Sequence, residues 1–274
     1  MKVLDAKLKV NEFFDRLPQA KEKVLFLDYD GTLAPFKTNP GEAVPYPGVR
    51  ELIGRIMERA NTRLVIVSGR WTRDLIPLLG LRDLPEIWGS HGLERLRRDG
   101  SYEISPMDEN AVRGLATADE WMEDKDLLHR CEKKPGCLAL HWRGLSKGSM
   151  LDLKNAVLPQ WRRLAEASGL DLIEFDGGIE LRVPARNKGD AVKSVLGEIQ
   201  QDGLSAAYLG DDSTDEDAFR AMKGKGIGVL VRREFRPTAA DLWIRPPGEL
   251  LEFLSCWLGE EGADLHSGQG TRGE

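Results

Sequence analysis

No apolar run in this chain of 274 residues approaches the ~20 consecutive residues that a membrane helix needs. The first ten residues alternate lysine with apolar side chains around no central apolar stretch, so neither a membrane span nor a secretion signal is expected. Cysteine is scarce. Cys131, Cys137 and Cys256 make an odd set of 3, which gives no disulfide framework and fits a reducing, cytoplasmic setting. The 4 histidines, His91, His129, His141 and His266, have no metal-ligand spacing. Basic residues are outnumbered, 39 Lys and Arg against 45 Asp and Glu, for a net charge of −6. No basic stripe with interleaved aromatics appears, so nucleic acid is not an expected partner. No internal repeat is evident, and Gly259 to Glu274 reads as a Gly-rich polar tail.

What is present is a set of apolar strands that end in chemistry. Residues 24 to 33 read Val-Leu-Phe-Leu-Asp-Tyr-Asp-Gly-Thr-Leu. The period of two in an extended chain points Asp28 and Asp30 to the same side. Two adjacent acids repel, and Mg²⁺ relieves that repulsion by binding carboxylates together with substrate phosphate oxygens. One acid can then attack phosphorus while the other shuttles a proton. Gly31 and Thr32 turn the chain and offer N–H groups and a hydroxyl near a phosphate. The opening of a calcium loop is the competing reading, but Tyr29 and the Leu33-Ala34-Pro35-Phe36 continuation lack that loop's later ligands.

Three further pieces follow in order. Arg63 to Val67 is an apolar strand leading into Ser68-Gly69-Arg70, where a hydroxyl before a helix can bind a phosphate oxygen or simply cap the helix. Lys188-Gly189-Asp190 opens a helical pattern, and Lys188 can neutralise charge developing on a phosphoryl group. Ala206 to Leu209 runs into Gly210-Asp211-Asp212-Ser213-Thr214-Asp215-Glu216-Asp217. There Asp211 can complete a metal shell, while Ser213 to Glu216 fits a capping box for a helix beginning near Asp215.

These four pieces resemble the motifs of the haloacid dehalogenase superfamily of phosphohydrolases. The resemblance implies Asp28 as nucleophile, Asp30 as acid/base, Ser68 and Lys188 as phosphate binders, and a Mg²⁺ held by Asp28, Asp211 and the Asp30 carbonyl, with Asp215 on a metal-bound water. Leu27 to Leu33 and Gly210 to Glu216 are more closely similar to the trehalose-6-phosphate phosphatases. So are His91-Gly92, Glu132-Lys133-Lys134, His141-Trp142-Arg143 and Glu180-Leu181-Arg182. The resemblance runs from about Lys23 to about Phe253. It implies Mg²⁺-dependent hydrolysis of trehalose 6-phosphate through an aspartyl phosphate. Phosphatases of sucrose phosphate or of a mannosyl or glucosyl phosphoglycerate, and a non-catalytic sugar-phosphate-binding module, are the alternatives. Thr32, Gly69, Arg70, His91 and Arg182 join the expected substrate-binding set. Association with a trehalose-phosphate synthase and a monomeric state are further expectations.

The short apolar strands separated by helical patterns indicate an α/β fold, a Rossmann-like parallel-sheet core over residues 1–106 and 181–274. Residues 107–180 alternate strands and helices differently and read as an inserted α+β cap, with hinges near Ser105-Pro106 and Val183-Pro184. A lid suits hydrolysis because closing it expels water. Lys133, His141, Arg143 and Glu180 are its candidate sugar and phosphate contacts. Their rivals are a solvated charge pair, an exposed strand face and a hinge salt bridge; the resemblance favours Glu180, Lys133 and Arg143. The tryptophans read as core, with Trp142 left open as a sugar platform. Arg97-Arg98 and Arg232-Arg233 read as solvated turns, and the extra Arg186 faces either substrate or solvent.

Overall fold

Alternation along the central strands builds a sheet buried on both faces. The structure, a computed structural model, describes residues 1–59, 61–175, 177–184, 186–200 and 202–260. The expectations for His266 and most of the tail lie outside them. The chain forms two compact units, Met1–Tyr102 with the residues from Asn187 onward, and Glu103–Arg186.

The first unit contains β1 (Lys2–Val3), α1 (Val10–Arg16), β2 (Glu22–Leu27), α2 (Val49–Met57), β3 (Thr62–Val67), α3 (Thr72–Leu79), β4 (Glu86–Gly89) and β5 (Glu94–Leu96), and the boundary falls within β6 (Tyr102–Ile104), a strand of the same sheet. After the second unit it resumes, and its later elements are numbered below. The second unit holds α4 (Glu109–Asp124), β7 (Cys131–Lys134), β8 (Cys137–His141), α5 (Lys147–Ser168), β9 (Asp171–Phe175) and β10 (Gly178–Arg182). The first unit is completed by α6 (Lys188–Gly197), β11 (Leu204–Gly210), α7 (Glu216–Met222), β12 (Ile227–Val231), β13 (Leu242–Ile244) and α8 (Gly248–Leu258).

Its sheet runs β1-β13-β12-β11-β2-β3-β4-β5-β6, parallel from β13 to β4 and antiparallel at β1 and β5. On β2, Leu25 and Leu27 join the cluster covered by α2 and α8, while Val24 and Phe26 join the one covered by α6 and α7. Ala207 with Leu209 and Ala206 with Tyr208 divide the same way on β11. Phe26 is fully buried, and truncating such a ring costs roughly 3–5 kcal/mol. The chain passes from β2 to β3 and β4 on one side and from β11 to β12 and β13 on the other. The strand order therefore reverses between β2 and β11, where sheets of this kind bind ligands beyond their carboxyl ends.

The N-terminal arm, outside the motif resemblance, belongs to this unit. β1 pairs with β13, and Phe14 of α1 meets Phe253 edge-on at 5.2 Å between centroids. Among the described residues no helix is long and apolar enough to cross a membrane.

The second unit is an antiparallel sheet, β7-β8-β10-β9, covered on one face by α4 and α5. Leu138, Leu140, Ile179 and Leu181 meet Val157 and Trp161 in its core. Trp142 is buried in that core, with the Lys154 ammonium 4.5 Å from its ring centroid, so it is not an exposed sugar platform. Leu181 and Arg182, expected in the large domain, are the last residues of β10. The unit accordingly ends at Arg186 and begins at Glu103, outside the 107–180 span and the two proline hinges read from sequence.

Candidate active site

Strand β2 ends one residue before Asp28, β3 one before Ser68 and β11 one before Asp211, so the strand order brings three motifs side by side. Lys188 arrives from the first residue of α6, whose start is fixed by a capping box between Asn187 and Asp190. Gly189 lets α6 close on α7, because a Cβ there would stand 2.5 Å from the Asp217 carbonyl oxygen.

Lys188 Nζ donates to Asp28 Oδ1 at 2.6 Å and to Asp215 Oδ1 at 2.8 Å. All three side chains are buried. Burial works against the Lys188 charge, but Asp215 and Asp28 outweigh it and hold the ammonium well above its ordinary pKa. One oxygen of each of Asp28, Asp211 and Asp215 lies within 4.8 Å of the others. Three carboxylates thus share one lysine. Burial raises Asp28 to about 7, Lys188 opposing and Asp215 reinforcing the rise. Burial together with Asp28 and Asp215 raises Asp211 to about 9. The cluster is short of positive charge.

The donor set fits a hard divalent cation. Asp211 is 3% exposed, and no described residue donates to its carboxylate. A buried acid left without a donor is costly unless a cation meets it. Gly31 makes this placement feasible: it has φ +83°, and a Cβ would lie 2.1 Å from Asp211 Oδ2. Asp215, the third member of that set, is also tied into the turn. Its Oδ1 accepts from Lys188 and from Tyr208 OH at 2.5 Å, and its Oδ2 from the N–H groups of Asp211 and Asp212 at 3.0 and 2.9 Å. Asp215 therefore anchors Lys188 and the acidic turn. The expected capping box also shifts: Asp212 and Asp215 form it, while Glu216 accepts from Arg236, Thr238 and the Ala239 N–H.

Around the cluster, several expected substrate contacts hold other residues. The Thr32 hydroxyl is fully buried and donates to Asp28 Oδ2 at 3.0 Å, orienting that acid instead of facing a substrate. The Gly31 N–H is engaged by the Ala34 carbonyl. Asp30 receives a two-pronged guanidinium bond from Arg70, at 2.6 and 2.7 Å. Ser68 Oγ accepts from the Arg70 N–H, and its own proton has no acceptor among the described residues, so it can be given to a phosphate oxygen. His91 lies over Gly69, where a Cβ would be 2.5 Å from its ring, and sits at φ 56° after Ser90 at φ 48°. That strained turn is tied to the Ser68 loop by His91 N–H to Ser68 O and Ser90 N–H to Arg70 O. Buried Glu94 accepts from Thr72 N–H and Ser90 Oγ beside it.

Arg232, read from sequence as a solvated turn, and Arg236, for which the sequence reading has no role, both reach the acidic turn. Each donates to the Asp211 carbonyl at 3.3 Å, and Arg236 also reaches Asp212 O at 2.6 Å. Arg232 is thus no solvated turn residue. Both follow β12, and an arginine just past a strand tip next to the acidic turn is the signal that could have found them.

In the second unit, strand alternation separates the expected contacts. Glu132, Lys134, Cys137, His141, Glu180 and Arg182 share the face of the sheet away from the helices, by the register of β7, β8 and β10. Lys133 points the other way and pairs with Asp119 of α4. Lys134 replaces it on the polar face, 3.2 Å from Glu132. Glu132 also meets His141 Nε2 at 3.1 Å, and this bond holds its carboxyl down at about 2. Burial beside Glu180 pushes the Cys137 thiol far up, so it is no nucleophile. Arg182 pairs with Asp171 at 3.7 Å, and exposed Arg143 lies against Gly177.

A family model for trehalose-phosphatases matches residues 26–240. The rice protein "Probable trehalose-phosphate phosphatase 9" is 31% identical over 271 residues, covering 86% of this chain and 70% of its own. A solved "trehalose-6-phosphate phosphatase related protein" is 28% identical with TM-score 0.67, covering 86% of this chain and 97% of its own. A haloacid dehalogenase-like hydrolase from Bacteroides thetaiotaomicron shares the fold at 18% identity, with TM-score 0.61 over 86% of this chain and 99% of its own.

Proposed function

The chain belongs to the trehalose-phosphatase family, and from that premise we propose that it hydrolyses trehalose 6-phosphate to trehalose and phosphate with Mg²⁺, through a phosphoryl group carried on Asp28. The observation that carries this reading is the buried set of Asp28, Asp211 and Asp215 around one Lys188.

Asp28 is the nucleophile, oriented by Thr32 and Lys188. Its oxygen forms a bond to phosphorus as the bond from phosphorus to the sugar oxygen breaks. Asp30, held in place by Arg70, gives that sugar oxygen a proton and then takes one from the water that releases phosphate. Ser68 and Lys188 bind the phosphoryl oxygens, and Lys188 offsets charge that grows in the transition state. Asp28 and Asp211, with the Asp30 carbonyl, are the groups that would hold Mg²⁺. When bound, Mg²⁺ neutralises phosphoryl charge and the repulsion among these acids. Glu132, Lys134, His141 and Glu180, on the polar face of the second unit, supply donors and acceptors for sugar hydroxyls.

The test is phosphate release with Mg²⁺ from trehalose 6-phosphate, sucrose phosphate and glucose 6-phosphate. A kcat/KM highest for trehalose 6-phosphate is expected; a clear preference for another member of the panel would overturn the substrate assignment.

A further inference from the structure

A cleft of about 430 Å³ opens in the first unit beside the acidic cluster, with Gly31 and Asp211 in its wall. Its other lining groups include Phe36, Tyr46, Arg233 and Glu234. Phe36 is 67% exposed although large and apolar, and its ring packs on Gly31, where a Cβ would stand 2.8 Å from it. The Tyr46 hydroxyl, the Arg233 guanidinium and the Glu234 carboxylate make no hydrogen bond or ion pair with any described residue. Arg233 is near enough to Tyr46 to oppose the rise that burial imposes on the phenol.

The chemistry narrows the occupant. Arg232 and Arg233 face two carboxylates, Asp211 and Glu234, in the same lining, and this balance of charge disfavours a simple anion. Three unpartnered polar groups disfavour a purely apolar ligand, which would desolvate them without return. A pyranose ring suits both. Its C–H face packs on an aromatic ring, and its hydroxyls pair with a few convergent donors and acceptors at the rim. Arg offers a fork of N–H donors, Glu offers acceptors, and Tyr offers both. The volume lies within the range of small-molecule sites.

We propose that this cleft is a pyranose-binding subsite of the core, with Phe36 as its stacking surface and Tyr46, Arg233 and Glu234 as its hydroxyl partners. It rests on the sugar-phosphatase reading and deepens it by giving the core its own sugar contact, independent of the second unit. The ring comes from the leaving group of bound substrate or from free sugar, and the two leave different kinetic patterns.

The experiment follows Mg²⁺-dependent hydrolysis of p-nitrophenyl phosphate, which has no sugar, with added trehalose as the probe. Wild-type protein is compared with Phe36→Ala and Arg233→Ala, two exposed positions whose variants are checked for unchanged melting. Trehalose inhibition is expected in the wild type, with its inhibition constant raised about tenfold in each variant, the order for one lost stacking or polar contact. If the ring is that of the leaving group, KM for trehalose 6-phosphate rises in parallel and inhibition is competitive. If it is free sugar, inhibition is non-competitive and that KM stays put. Trehalose inhibition equal in wild type and variants would overturn the subsite while turnover of trehalose 6-phosphate left the function standing. A wild type that cleaves p-nitrophenyl phosphate but neither turns over trehalose 6-phosphate nor binds trehalose would sink both.

Discussion

Replacing Lys188 with methionine removes the one cation among three buried acids while keeping most of the side-chain volume. Lys188 Nζ stands 2.6 Å from Asp28 and 2.8 Å from Asp215. At an effective dielectric of about 20, each attraction at this range is worth about 4 kcal/mol or more before desolvation is charged against it. Desolvation of the lysine returns much of that. Breaking a buried pair by deleting one partner is nevertheless destabilising by roughly 3–5 kcal/mol, since the partner's charge stays buried. The loss has a definite pH dependence. Asp28 already has a raised folded pKa, and losing Lys188 raises it further. A carboxylate whose folded pKa exceeds its unfolded value of about 4 costs stability as pH climbs from there through the folded value. The deficit of Lys188→Met should therefore be full near pH 8 and shrink to under about 2 kcal/mol near pH 5, where the acids take protons instead. Urea unfolding of metal-free wild type and variant at both pH values measures it. A deficit below about 1 kcal/mol near pH 8, or one larger near pH 5, would refute the reasoning.

Metal should act in the same window with the opposite sign. Asp28 is raised to about 7 and Asp211 to about 9, so the metal-free protein loses stability as pH rises through those values. Mg²⁺ at about 100 times its Kd at neutral pH adds about 2.7 kcal/mol, or roughly 5–10 °C in Tm, and the same concentration adds more at pH 8.5 than at about pH 6. Differential scanning calorimetry reads this; an equal shift at both pH values, or a full shift in Asp211→Asn, would count against the cation site. On the second unit, Lys134→Ala should raise KM for trehalose 6-phosphate about tenfold, whereas Lys133→Ala, which loses only a half-exposed pair with Asp119, should leave KM within about twofold. Steady-state kinetics on both variants decides, and the reverse ranking would contradict the face assignment.

The large sheet and the acids at its strand tips were readable because local pattern and global position agree there. Asp28, Ser68 and Asp211 each follow a strand with four consecutive apolar residues, and a parallel sheet puts such tips together whatever the distance in sequence. Elements whose role depends on register or on a distant partner were not readable. Glu132-Lys133-Lys134 presents two lysines as equals until β7 pairs with β8, which turns Lys133 to the helices and Lys134 to the open face. Thr32 looked like a phosphate contact, since nothing in sequence shows that its hydroxyl is turned back to Asp28. Ser213 to Glu216 matched a capping box by spacing, but Arg236, twenty residues on, draws Glu216 away and leaves the cap to Asp212 and Asp215. The second unit extends past Arg182 because Glu180-Leu181-Arg182 is one strand, paired along its length with β8 and β9.

The central assignment is the covalent role of Asp28, and mass spectrometry of peptides from enzyme acid-quenched during turnover of trehalose 6-phosphate with Mg²⁺ tests it most directly. A phosphoryl group on the peptide carrying Asp28, absent from Asp28→Asn together with turnover, is the expected result. Sustained turnover by Asp28→Asn, or a phosphoryl group trapped on a different residue, would contradict it.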